Sequence, residues 1–320
     1  MAKHVAKPTQ PPRPRRRTKR RLRKGRIIGI SLLAVLAALL VVTGTFYAIN
    51  HLSNSGKPVQ PVDSKIASTT KQSSTTDSSS STEEQIKWVK QDKPVQVPIL
   101  MYHAIHVMDP SEAANAGLIV NPDTFESQLK ALKDAGYYPL SPAEAYKVLT
   151  ENVLPENKKV VWLTFDDSNE DFYTHALPIL QKYKMKATNN VITGFVEEGR
   201  ASILTLEQMK EMKAKGMSFE DHTVHHPDLS ASDSTTQETE LKDSKSYLDK
   251  NLSQNTTTVA YPSGRYTDTT LQIAESLGYK LGLTTNEGLA SASNGLLSLN
   301  RIRVTPDMTA ETLLATIATN

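Results

Sequence analysis

Three short segments hold the side chains best suited to chemistry. Thr164-Phe165-Asp166-Asp167 ends Val160–Phe165, an apolar run of buried-strand type. Adjacent carboxylates repel each other, so a shared cation or proton stabilises them. Taken alone, such a pair is an ordinary solvated turn or helix N-cap. His222-Thr-Val-His225-His226-Pro227 places three imidazoles within five positions, just past a strand expected to end near Phe219. Histidines at i and i+4, here His222 and His226, share one face of a helical turn and can hold one cation as neutral imidazoles. Pro227 should close that turn. Tyr261-Pro262-Ser263-Gly264-Arg265 lies at a third strand end and is an unremarkable turn in isolation. Together the three supply an Asp-His-His metal set, a spare carboxylate and a turn whose backbone could bind an oxyanion.

The elements that must position these groups alternate. Strands are expected over Val97–Tyr102, Val160–Phe165, Ala187–Thr193, a short stretch near Phe219, Thr257–Tyr261 and Tyr279–Thr285. Helices are expected after Asn121-Pro122, with Phe125, Leu129 and Leu132 on one face and Gly136 as the stop. Others follow the capping boxes Ser141–Glu144 and Thr205–Gln208, and span about Asp171–Tyr183, Thr236–Leu252, Thr267–Leu277 and the end from Thr309. Such alternation over about 225 residues argues an α/β fold, an irregular (β/α) barrel of about seven strands, with an open doubly wound sheet as runner-up. No Gly-x-Gly-x-x-Gly or P-loop pattern follows these strands, which weakens nucleotide binding.

Charge is uneven along the 320 residues. Residues 1–26 hold 12 of the 37 Lys and Arg and none of the 34 Asp and Glu; the remainder therefore carries a net charge of −9 although the whole chain is +3. The basic character belongs to the tail, and a nucleic-acid partner for the folded part loses its support. Residues 27–49 form an uncharged run of 23, about 34 Å as a helix, enough to cross a membrane. With basic residues before it, the run reads as an uncleaved signal-anchor, leaving the bulk of the chain extracellular. A cleaved signal peptide is the competing reading. Residues 50–94 are a Ser/Thr-rich linker, and 95–320 form the folded domain. Cysteine is absent, so no disulfide contributes.

TFDD, then HTVHHP, then YPSG in that order resembles the polysaccharide deacetylase family, the NodB-homology or family-four carbohydrate esterases. PILMYHAI (Pro98–Ile105) and SLNRIRV (Ser298–Val304) resemble the branch that includes poly-N-acetylglucosamine deacetylases. The resemblance implies Asp166 as general base and Asp167, His222 and His226 as ligands of one divalent metal, commonly zinc, with His225 no ligand. It implies a backbone oxyanion donor at Ser263, a polysaccharide substrate held near Tyr261, Pro262, Gly264 and Arg265, and loss of N-acetyl groups from a cell-envelope or extracellular polymer, poly-N-acetylglucosamine or peptidoglycan.

The chain departs from the family pattern at several places. Ser168 stands where Gly is usual, and Glu220-Asp221 add negative charge before His222. Ala260 replaces an arginine that in many members contacts the base, and Ser263 replaces a tyrosine. No histidine follows His226 to act as a late general acid; Asp166 itself is expected to return the proton, with His103 the next candidate. Two alternatives stay open: an O-acetyl carbohydrate esterase, and a non-catalytic glycan-binding member of the same fold.

Overall fold

The computed structural model describes residues 86–319. The basic tail, the apolar run 27–49 and most of the linker lie outside the described residues. Among those described, no helix is long and apolar enough to cross a membrane.

Seven strands close into a parallel ring: β1 (Ile99–Tyr102), β2 (Lys159–Phe165), β3 (Thr188–Val191), β4 (Ser218–Asp221), β5 (Thr258–Ala260), β6 (Leu281–Glu287) and β7 (Leu299–Arg303). Pairing of β7 with β1 (Ile302↔Leu100) and of β1 with β2 (Ile99↔Trp162) completes the barrel, so the open sheet is ruled out. Six of these strands coincide with the expected runs; β7 was not anticipated. The seam between β4 and β5 is thin, with one paired position, Val259↔Asp221. There the Glu220 carboxylate accepts from the Thr257 and Thr258 backbone N–H groups at 3.0 and 2.7 Å, standing in for absent ladder bonds.

The helices begin where the caps direct. Asn121 caps α1 (Pro122–Asp134), Ser141 caps α2 (Pro142–Glu151) and Thr205 caps α5 (Leu206–Ala214). Between them lie α3 (Leu177–Tyr183) and the short α4 (Thr193–Glu197). The helix expected from Asp171 instead opens with a π-helical turn, Phe172–Ala176. Then come α6 (Ser234–Leu252), α7 (Asp268–Ser276) and α8 (Ala310–Thr316).

Three buried apolar clusters hold these parts, the smallest built on Leu229, Leu241, Val259, Tyr261, Ala274 and Tyr279. Tyr102, Phe125, Phe165, Phe172 and Phe219 dominate the largest core between strands and helices. A second cluster gathers Ile99, Trp162, Leu281, Leu283 and Leu299. Trp162 is fully buried and donates its indole N–H to Thr188 Oγ1 at 2.8 Å, so its one polar atom is satisfied. An insert separates β1 from α1. It comprises a parallel pair, Ala104–Ile105 with Ile119–Val120, around a 3₁₀ helix, Pro110–Leu118. Nothing in the sequence pattern had announced it.

Candidate active site

All three motifs sit at C-terminal strand ends, on one face of the barrel. Asp166 and Asp167 follow β2, His222 follows β4, and the Tyr261–Arg265 turn follows β5. Among the described residues, ten that are not glycine have positive φ, and five of them, Asp167, Ser168, Thr223, His226 and Ser263, belong to these loops. Left-handed backbone at such residues is strained and persists only where the surroundings enforce it, as functional sites do.

This strain corrects one expectation. Residues 222–227 form no helical turn; Thr223 (φ 68°) and His226 (φ 59°) fold the loop back on itself. The fold-back still brings His222 and His226 together, ring centroids 4.8 Å apart. Asp167 Oδ1 lies 3.5 Å from His222 Nε2 and 3.7 Å from His226 Nε2. One ligand atom from each of the three falls within 4.8 Å of the others. Ligands about 2.0–2.2 Å from a tetrahedral zinc stand roughly 3.4 Å apart, so the spacing fits an ion rather than hydrogen bonds. His222 Nδ1 lies 2.6 Å from the Ala260 carbonyl, which can only accept, so Nδ1 carries the proton and Nε2 is free to ligate. His225 turns away, its Nδ1 2.8 Å from Glu240 Oε1.

Asp166 is buried and held from three sides. Its Oδ1 accepts from Asn190 Nδ2 (2.7 Å) and Arg301 Nη1 (2.9 Å), and its Oδ2 from Arg301 Nη2 (2.7 Å). Burial opposes the carboxylate, but Arg301, with help from His222, holds its pKa well below the usual carboxylate range. Arg301 is wholly buried, donating also to the Thr284 carbonyl (2.8 Å) and to Thr164 Oγ1 (3.2 Å). Neither Arg301 nor Asn190 was singled out from the sequence. Arg301 lies within SLNRIRV, read only as a branch signature, and it supplies from β7 the guanidinium that Ala260 cannot.

The other departures also find physical accounts. Ser168 adopts φ 60°, the conformation glycine favours, and its hydroxyl accepts the Ile192 N–H at 2.7 Å. Asp221 accepts from the Thr223 N–H and the Tyr279 hydroxyl at 2.6 and 2.7 Å. Burial pushes Glu220 up to about 8 and Asp221 up to about 7. The added negative charge expected beside His222 is therefore muted at neutral pH.

In the third motif the backbone is what faces outward. Tyr261 is buried with its hydroxyl donating to the Leu297 carbonyl (2.9 Å), and Pro262 is buried too, so neither side chain reaches solvent. Ser263 and Arg265 are exposed, and Arg265 Nε lies 3.5 Å from Asp228 Oδ2. The turn closes through Gly264 N–H to Tyr261 C=O and Arg265 N–H to Pro262 C=O, neither of which uses the Ser263 N–H. Gly264 (φ 67°) is required, since a Cβ there would lie 2.1 Å from Thr285 Oγ1. His103 stands past β1 beside Asp167 in one cavity. Burial lowers its pKa, against the pull of Asp166 and Asp167, and the ring makes no side-chain hydrogen bond among the described residues.

The site thus sets a buried, arginine-paired carboxylate beside an Asp-His-His set that could hold a metal ion, at one end of a parallel barrel. A sequence profile described as polysaccharide deacetylase matches residues 154–282. YxkH of Bacillus subtilis (strain 168), a protein assigned to the polysaccharide deacetylases, is 42% identical over 221 residues, 69% of this chain and 76% of its own. The chain belongs to the polysaccharide deacetylase family. A poly-β-1,6-N-acetyl-D-glucosamine N-deacetylase of Staphylococcus aureus (strain MRSA252) is 34% identical over 202 residues, 59% of this chain and 68% of its own. The Streptococcus pyogenes deacetylase PplD, solved in complex with acetate, is 66% identical; the match covers 71% of this chain and all of that one, TM-score 0.69.

Proposed function

We propose that the protein removes N-acetyl groups from N-acetylglucosamine units of a cell-envelope or extracellular polysaccharide. The observation that carries this reading is the Asp167-His222-His226 donor set beside the separately held carboxylate of Asp166. The kinship with a poly-β-1,6-N-acetyl-D-glucosamine N-deacetylase supports an N-acetylated polymer. A divalent metal, zinc by the chemistry of the donors, would polarise the acetyl carbonyl and acidify a water when bound.

The chain's own residues do the rest. Asp166 takes the water's proton on Oδ2, because Oδ1 already accepts two hydrogen bonds and Oδ2 only one. The Ser263 N–H donates to the developing oxyanion. The same Arg301 that keeps Asp166 ionised makes its protonated form a ready donor, so Asp166 returns the proton to the leaving amine. His103 is the competing acid.

Acetate release from poly-β-1,6-N-acetylglucosamine by the full-length protein tests the reading. Asp166→Asn should keep the metal yet lose turnover on the order of 10²-fold or more, while His103→Ala loses much less. His222→Ala or His226→Ala should lose metal and activity together, and His225→Ala should keep the metal. Acetate released solely from O-acetylated glycans would sink the N-deacetylase reading. Ligand loss in His225→Ala would show the metal set placed one residue off. The basic residues before the uncharged run 27–49 support an extracellular domain on a single-pass anchor. Protease added to intact cells should then remove the domain and leave an N-terminal membrane fragment.

A further inference from the structure

Every backbone N–H of the histidine loop 223–226 is taken up by a side chain. The Thr223 N–H donates to Asp221 Oδ1 at 2.6 Å, and the His226 N–H to Thr223 Oγ1 at 3.0 Å. The two between them, on Val224 and His225, both donate to one oxygen of Glu240, Oε2, at 2.9 and 2.8 Å. The other oxygen, Oε1, lies 2.8 Å from His225 Nδ1 and accepts its N–H. One carboxylate from α6 thus makes three contacts with two adjacent residues of the loop that joins one metal ligand to another.

Glu240 is buried, and among the described residues no Lys or Arg pairs with it. Burying a carboxylate is costly unless hydrogen bonds replace the water it loses, and here the loop supplies them. Gln237, one turn earlier on the same face of α6, is buried as well. Its amide donates to the Ser232 carbonyl at 2.9 Å and accepts from Thr270 Oγ1 at 2.6 Å, which ties α6 to the start of α7. The helix is anchored, so the carboxylate it presents to the loop has a fixed place.

The two histidine ligands do not depend on the loop equally. His222 is oriented by the Ala260 carbonyl, 2.6 Å from its Nδ1. The His226 ring makes no hydrogen bond to another residue among those described, and its backbone is left-handed. Its position follows from the fold-back that starts at Thr223, and Glu240 grips the middle of that fold-back.

We propose that Glu240 is a positioning residue of the metal set, holding the loop so that His226 reaches the ion it would share with Asp167 and His222. The proposal rests on the metal-dependent deacetylase reading and deepens it. A glutamine could do the same work. Its amide oxygen would accept both backbone N–H groups, and its NH₂ would donate to Nδ1 of the other His225 tautomer. An aspartate, one methylene shorter, could not reach the loop from a helix that Gln237 holds in place.

The test titrates the full-length, metal-free protein with Zn²⁺ against a chromophoric chelator. A second titration uses Co²⁺, whose d–d band reports ligand geometry. Glu240→Ala and Glu240→Asp should each weaken Zn²⁺ binding by about 10–100-fold, the range for partners that orient ligands, and shift the Co²⁺ band. Glu240→Gln should restore both to wild-type values. His225→Ala, which leaves the two backbone contacts in place, should also match the wild type. A merely structural role would lower the melting temperature of metal-free Glu240→Ala and leave Zn²⁺ affinity and the Co²⁺ band unmoved; that result would overturn the proposal. So would Glu240→Gln binding Zn²⁺ as weakly as Glu240→Ala. If Glu240→Ala does not fold, Glu240→Asp decides on the same two readouts. A wild type that binds no Zn²⁺ removes the metal reading and this proposal with it. Zn²⁺ binding without acetate release sinks the deacetylase reading alone, and Glu240 is still judged on affinity.

Discussion

At the scale of single residues, the site depends on a pairing between two distant motifs that neither announces. Arg301 and Asp166 are fully or almost fully buried and bonded through two parallel N–H···O contacts. Removing one member of such a pair leaves an uncompensated charge, typically at a cost of about 3–5 kcal/mol. Arg301→Met should therefore lower unfolding stability by about that amount. It should also move the acid limb of the kcat/KM profile to higher pH, because the group that depresses the Asp166 pKa is gone and the base is protonated over a wider range. Asp166→Asn with Arg301→Met should recover part of the stability but none of the turnover. A profile unmoved in Arg301→Met would show that Asp166 is not the group whose ionisation limits the rate. The ligands and the base could be read from TFDD and HTVHHP because those residue types are rarely clustered without purpose. Arg301 could not: an arginine among Leu299, Asn300 and Ile302 looks like a surface residue until the barrel closes around it.

At the scale of elements, caps and apolar spacing revealed the helices, while polar residues inside the barrel hid its last strand. Leu299 and Arg301 are buried, and the strand alternates no apolar face outward that a two-residue period could detect. The insert Pro110–Leu118 was hidden for the opposite reason, having no buried residue at all. The histidine loop was misjudged because i, i+4 spacing says nothing about φ, and two left-handed residues replace the helical turn. The carbonyl side of that loop is held by α4. Its Thr193 and Gly194 N–H groups donate to the Thr223 and Val224 carbonyls at 3.1 and 2.9 Å. A Cβ on Gly194 would lie 2.6 Å from the Val224 oxygen, a backbone atom that cannot swing aside. Gly194→Ala should thus displace the loop between the two ligands and weaken metal binding on the order of tenfold or more, as loss of ligand support does. Competition with a chromophoric chelator measures this. A lowered melting temperature with unaltered metal affinity would mean the loop is held independently of α4.

At the scale of the whole described domain, the chain enters at the end of the barrel opposite the site. Trp88–Lys90 pairs antiparallel with Val153–Pro155, ahead of β2, and Val97 exchanges backbone hydrogen bonds with Ala290 at 2.7 and 2.9 Å. Asn152, at φ 54°, accepts the Val95 N–H and donates to the Gln91 and Lys93 carbonyls, so one side chain stitches the strap down. Trp88 stands edge-on to Tyr138 at 6.4 Å, with the Lys147 ammonium 6.0 Å from its ring. The catalytic residues occupy the C-terminal strand ends, so strap and site share no side-chain contact, and mutations that far apart add independently. Trp88→Ala removes the aromatic contact and part of the strap's apolar burial, about 1–2 kcal/mol, which lowers the melting temperature of a domain this size by roughly 3–6 °C. Metal affinity and the rate of acetate release should stay at wild-type values, since nothing at the mouth of the barrel has moved. If metal affinity falls along with the melting temperature, the strap and the site belong to one cooperative unit, and the barrel transmits strain from its base to its ligands.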